Sequence, residues 1–191
     1  MTDLFQHEVT KTVHYLKKGK IILYPTDTIW GIGCDATNNK AVQKVYQIKN
    51  RDKNKSMIVL LSSVEELPKY IEKVPLLAYD LINNAVSPLT IIYSNAKDVL
   101  KNVRAADKSI AIRIVKHEFC SEIIKKIGKP LLSTSANFSG QPTPVIFSQI
   151  NEELKNKVDY VVGMYQDTIV STKSSTLIKL NENGTFKVLR P

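Results

Sequence analysis

The sequence predicts one α/β domain over residues 1–191, a mixed β-sheet flanked by helices. Three observations carry this expectation. Short apolar runs at 20–24, 57–61, 89–93 and 109–115 alternate with segments whose apolar residues recur at three- and four-residue spacing. Several strands are separated by short connections, which favours a mixed over a purely parallel sheet. No linker, internal repeat or low-complexity tract divides the chain.

Each element follows from local signals. Val9, Val13 and Leu16 mark a first helix, closed by Gly19 in the usual terminating position. Residues 20–24 form a strand stopped by Pro25. A helix over about 39–49 sets Lys40, Lys44 and Gln47 opposite Val42, Val45 and Ile48, so its cations read as a solvated face. A strand at 57–61 follows, then a short helix opening at Val64 and another over 76–85. Strands are expected at 89–93 and 109–115, where Ile110, Ile112 and Ile114 alternate with Ala111, Arg113 and Val115. A helix over 118–127 is capped by Gly128, and strands at 130–134, 160–162, 175–180 and 186–189 complete the sheet.

Composition narrows the function classes. Apolar residues are 43% and charged residues 24%, as in globular proteins, so the chain can bury a real core. The N-terminus lacks the basic-then-apolar pattern of a secretory signal, and no apolar stretch approaches a bilayer span. Two cysteines and three scattered histidines supply neither a disulfide framework nor a metal site. A cytoplasmic protein with reduced thiols is expected, with no protein-ligated metal. Net charge is +9, from 27 Lys plus Arg against 18 Asp plus Glu, which favours an anionic partner such as phosphate, nucleotide or RNA.

Three segments carry candidate chemistry. Ser133-Thr134-Ser135-Ala136-Asn137-Phe138-Ser139-Gly140 follows an apolar strand and presents hydroxyls, an amide and a glycine, which suits a loop that approaches a ligand closely. Far upstream, Tyr24-Pro25-Thr26-Asp27-Thr28 runs into Trp30-Gly31-Ile32-Gly33-Cys34; Trp30 and Cys34 are expected in the core. This is neither a Walker loop, which ends in Gly-Lys-Ser/Thr, nor a three-glycine dinucleotide fingerprint. Between them, Lys40, Lys44, Lys49, Arg51, Lys53 and Lys55 are opposed only by Asp52. Lys49 and Arg51 sit at the helix exit, where they either complement the helix dipole or point into a cleft.

Taken together and in this order, these segments resemble the YrdC family of threonylcarbamoyl-AMP synthases. Ile110-Ala111-Ile112-Arg113, Ser175-Thr176 and the terminal Leu189-Arg190-Pro191 extend the match over nearly the whole chain, which looks like the single-domain form. The resemblance implies a twisted mixed sheet around a large, basic, concave cleft. It implies that L-threonine, bicarbonate and ATP, with Mg²⁺ carried by the ATP, give threonylcarbamoyl-AMP and pyrophosphate for threonylcarbamoyladenosine formation on tRNA. It also implies contact with tRNA or with downstream tRNA-modification proteins.

By the same resemblance, Thr26, Arg113, Ser133 and Ser175 match threonine-side positions. Lys49, Arg51, Ser109, Ser135, Asn137, Thr143 and Arg190 match positions around ATP, with Lys49 and Arg51 clamping phosphates as the catalytic pair. Asp27 would orient a hydroxyl or amine. The sequence departs from the pattern at Asp52, Lys55-Ser56, Leu60 and Val86-Ser87-Pro88. A second class of function stays open: a non-catalytic relative of the same fold that holds structured RNA such as tRNA or rRNA through its phosphates.

Overall fold

The computed structural model describes residues 2–52, 57–169, 171 and 173–191. Lys53, Lys55 and Ser56, noted above, lie outside the described residues. Among the described residues, nine strands form one mixed sheet in the order β7-β1-β2-β6-β3-β5-β4-β8-β9. The strands are β1 (Ile22–Tyr24), β2 (Gly31–Asp35), β3 (Ile58–Leu61), β4 (Leu89–Tyr93), β5 (Ile110–Ile114), β6 (Leu131–Ser135), β7 (Tyr160–Val161), β8 (Thr176–Leu180) and β9 (Phe186–Arg190). Three neighbouring pairs run parallel (β1 with β7, β3 with β5, β4 with β8), and the others antiparallel. The helices are α1 (Thr2–Lys17), α2 (Asn39–Lys49), α3 (Leu67–Tyr70), α4 (Leu76–Asn84), α5 (Glu118–Ile127) and α6 (Glu152–Lys157).

Strand alternation divides the core into two layers. Ile21, Leu23, Val59, Leu61, Ile110, Ile112 and Leu132 pack on one face with Val42 and Val45 of α2, Leu67 of α3, Ala78 and Ile82 of α4 and Leu154 of α6. Ile22, Tyr24, Leu60 and Leu131 pack on the other face with Val9, Val13 and Leu16 of α1 and Phe119, Ile123 and Ile124 of α5. Trp30 and Cys34 are buried, as the sequence suggested. Among the described residues, no helix is long and apolar enough to cross a membrane.

Two elements differ from the sequence reading. The segment after Pro25 returns as a fully buried strand, β2, pairing with both β1 and β6. Its glycines hid the strand pattern but are what the packing needs. A Cβ on Gly33 would lie 2.4 Å from the Leu132 carbonyl oxygen and 2.8 Å from the Tyr24 ring, inside van der Waals contact. The short helix α6 was also unforeseen, although Asn151 caps it, with Glu152 and Glu153 in its first turn and Lys155 and Lys157 in its last.

Candidate active site

Alternate residues of β6 share one face: Leu131 is buried among α1 and α5, Ser133 is buried as well, and Ser135 is partly exposed. Register places Gly33 opposite Ser133 and Gly31 opposite Ser135 on β2, and Ile58 of β3 opposite Ser133. A Cβ at Gly31 would meet the Ser133 hydroxyl at 3.1 Å, so glycine there keeps the space beside that serine open. On the same face, Arg113 of β5 pairs across the sheet with Leu60 and Thr90. The sheet thus supplies the floor of a hollow where the helical cover stops.

That hollow comprises two adjoining cavities. The first, about 180 Å³, is lined by Thr26, Arg51, Arg113, Ser133, Ser135, Ser175 and Arg190 among others. The second, about 360 Å³, is lined by Lys49, Asn50, Arg51, Asp52, Ser135, Asn137, Ser139 and Gly140. Arg51 and Ser135 belong to both walls, so the two spaces meet at an arginine and a hydroxyl.

The loop after β1 is self-bonded: Thr26 Oγ1 donates to the Ile29 carbonyl at 2.8 Å, accepts from the Thr28 amide at 3.1 Å and contacts the Thr28 hydroxyl at 2.9 Å. Asp27 does not reach toward the cavity as a ligand-orienting group. It is buried behind Arg113, with Oδ1 3.1 Å from Nη2, and its Oδ2 accepts the Lys116 amide hydrogen at 3.1 Å. Across the cavity, the buried Ser175 hydroxyl lies 2.6 Å from that of Thr90. Arg190 donates through Nε and Nη2 to the Ser175 carbonyl at 3.0 and 2.8 Å, tying edge strand β9 to the site. Burial, and then the nearby Arg113 charge, lowers the pKa of Arg190.

Lys49 is the last residue of α2, and it is buried. Asn50, in the left-handed conformation (φ 48°), ends the helix and turns the chain toward Arg51. The Lys49 ammonium donates to the Ser135 carbonyl at 2.6 Å, to Asn137 Oδ1 at 2.9 Å and to the Asn137 carbonyl. Those three acceptors match its three N–H donors. The Lys49 carbonyl accepts from the Ser139 amide at 3.0 Å, and the Ser135 hydroxyl donates to Asn137 Oδ1 at 2.6 Å. Burial, followed by the charge of Arg51, pushes the lysine pKa down to about 8. In this arrangement the ammonium organises the Ser-Thr-Ser-Ala-Asn loop and has no donor left over for a phosphate.

Of the residues singled out by sequence, Thr26, Arg113, Ser133, Ser175, Arg51, Ser135 and Arg190 share the first cavity, and Lys49 and Asn137 line the second. Ser109, partly buried just before β5, and Thr143, exposed beyond Gly140, line neither. Thr28, Trp30, Gly31, Met57, Ile58 and Ser174 line the first cavity and were not foreseen. For Gly31 and Ile58 the missing information was the β2–β6–β3 register. Among the described residues, no group of three or more His, Cys, Asp or Glu side chains is arranged to hold a metal ion.

Comparison with known proteins places this architecture. The Sua5/YciO/YrdC family model, described as telomere recombination, matches residues 14–191. The threonylcarbamoyl-AMP synthase of Pseudoalteromonas translucida is 31% identical over 160 residues, covering 82% of this chain and 86% of that protein. The putative threonylcarbamoyl-AMP synthase of Methanocaldococcus jannaschii is 37% identical over 191 residues, with 97% and 88% covered. Among solved structures, E. coli YciO superposes with a TM-score of 0.83 at 25% identity, over 97% of this chain and 89% of that one. A variant of P. abyssi Sua5 superposes with a TM-score of 0.86 at 25% identity, over 96% of this chain but 53% of Sua5, so this chain spans about half of that protein. With the family model covering nearly its full length, the chain belongs to the Sua5/YciO/YrdC family.

Proposed function

We propose that this protein is an L-threonylcarbamoyladenylate synthase, a nucleotidyltransferase that joins L-threonine, bicarbonate and MgATP into threonylcarbamoyl-AMP and pyrophosphate. The observation that carries the reading is the pair of adjoining cavities sharing Arg51 and Ser135: the first gathers the threonine-side residues together with Arg190, and the second holds Lys49 and Asn137. The names and coverage of the relatives support it.

The chemistry asks little covalent work of the protein. Bicarbonate takes up a proton and loses water to give carbon dioxide, which the threonine amine captures as a carbamate with release of a proton. A carbamate oxygen attacks the α-phosphorus, and pyrophosphate leaves with the electron pair of the broken P–O bond. The substrates supply the nucleophile, so the protein provides alignment and positive charge. Arg113 receives the threonine carboxylate, a task suited to the guanidinium fork. Thr26, Ser133 and Ser175 surround the rest of the amino acid. Arg51 and Arg190 face the phosphates, and Ser135 and Asn137 bond the nucleotide from a loop fixed by Lys49. Mg²⁺ enters as part of the nucleotide substrate. The product is destined for threonylcarbamoyladenosine in tRNA, delivered either to tRNA directly or through partner proteins.

A pyrophosphate-release assay with threonine, bicarbonate or ATP left out in turn tests the proposal. Release only with all three present is expected. ATP turnover indifferent to threonine defeats it, and salt-sensitive tRNA binding without turnover points to an RNA-holding module instead.

A further inference from the structure

We propose that Asp27 is a positioning residue for threonine recognition: it acts as the built-in counter-ion of Arg113, keeping that guanidinium buried, charged and open to an incoming carboxylate. The proposal rests on the reading of the first cavity given above and assigns a role to a residue outside its lining.

Arg113 is 4% exposed and Asp27 is 8% exposed, so neither charge is satisfied by solvent. A lone guanidinium held there would be strongly disfavoured. Asp27 Oδ1 approaches Nη2 to 3.1 Å, a close ion pair. The contact is nevertheless poorly aligned for hydrogen bonding: Asp27 Oδ1 and Arg113 Nε both lack a hydrogen-bond partner among the described residues. The pair therefore neutralises charge through Nη2 while leaving Nε without a hydrogen bond. Arg113 Nε is itself enclosed, but the side chain lines the first cavity, so a ligand carboxylate meets the guanidinium there.

Asp27 is itself immobilised. Its Oδ2 takes the Lys116 amide hydrogen, linking the loop after β1 to the chain just past β5, which carries Arg113. On the loop side, the buried Cys120 thiol donates to the Pro25 carbonyl at 3.1 Å, fixing the backbone two residues earlier. A carboxylate tethered on both sides sets where the guanidinium rests before substrate arrives. Recognition of a carboxylate then avoids the cost of drawing a hydrated arginine inward.

The test is isothermal titration of wild type and Asp27→Asn with L-threonine, L-threoninamide and ATP. Asparagine keeps the volume and one acceptor oxygen for the Lys116 amide, while the charge is removed and the second oxygen becomes an NH2 donor. Expected are at least tenfold weaker threonine binding, a collapse of the preference for threonine over threoninamide, and ATP affinity within about twofold of wild type. Unchanged or tighter threonine binding overturns the proposal, since Asp27 would then be idle or a competitor for the guanidinium. Equal weakening toward threonine, threoninamide and ATP also overturns it, marking a merely structural residue. Wild type showing no preference for threonine over threoninamide sinks the assignment of Arg113 itself, and the proposal with it. If Asp27→Asn fails to fold, the double variant Asp27→Asn/Arg113→Gln decides. Recovered melting supports the counter-ion role, and no recovery overturns it.

Discussion

Replacing Lys49 with methionine separates two forces that meet at its ammonium. Burial and the neighbouring Arg51 push the lysine pKa from an ordinary 10.5 down to about 8. The three loop oxygens around it pull the other way, since they favour the charged form. With that pKa, the unfolded chain keeps its proton up to about pH 10 while the folded chain loses it near pH 8. Between those limits the unfolded state binds more protons, so wild-type stability gains from this residue as pH rises. At about 1.4 kcal/mol per pH unit, the gain from pH 8 to pH 10 is roughly 2–3 kcal/mol. Methionine has no such dependence. Its stability deficit against wild type is therefore expected to widen by about that amount across the interval. Urea denaturation of both proteins at pH 7, 8, 9 and 10 measures the difference directly, with the titrations of other lysines cancelling between them. Parallel stability curves refute the reasoning, and a narrowing deficit shows that the loop oxygens hold the proton more firmly than burial strips it.

Other expectations are simpler. Arg51→Ala is expected to cut pyrophosphate release at least 100-fold while shifting the melting temperature by no more than a few degrees; severe unfolding would instead mark the residue as structural. Gly33→Ala, whose Cβ would intrude on the Leu132 carbonyl and the Tyr24 ring, should cost about 3 kcal/mol or more in urea denaturation or prevent soluble expression. Asp159→Asn weakens the ion pairs of Lys20 and Lys44 and disturbs the bond to the Ile21 amide, so a loss of about 1–2 kcal/mol is expected by the same measurement, with activity retained.

Much of this fold could be read from local patterns because its helices are amphipathic and its strands apolar. α2 shows this well: Val42, Val45 and Ile48 are buried, and Lys40, Lys44 and Gln47 are exposed. β2 escaped because Gly31 and Gly33 carry the signature of a turn, and only the neighbours of β2 in the sheet reveal why a side chain is forbidden there. The candidate site was legible as a set of polar segments at strand ends. The distribution of its residues between two cavities was not, because it depends on register. Nor was the division of labour between Lys49 and Arg51, two positions apart. A left-handed turn at Asn50 sends one inward to the loop and the other to the seam between the cavities.

The clasp between Arg190 and the Ser175 carbonyl has a consequence for how the molecule is completed. The pocket wall is finished by the outermost strand of the sheet, whose five residues are all solvent-exposed and which has one neighbour in the sheet rather than two. Such a strand is the natural place for fraying. A ligand gripping Arg190 would fasten it, so amide hydrogens of 186–190 should exchange more slowly when nucleotide and amino acid are present. Occupancy of the hollow would thereby be felt at the rim of the sheet.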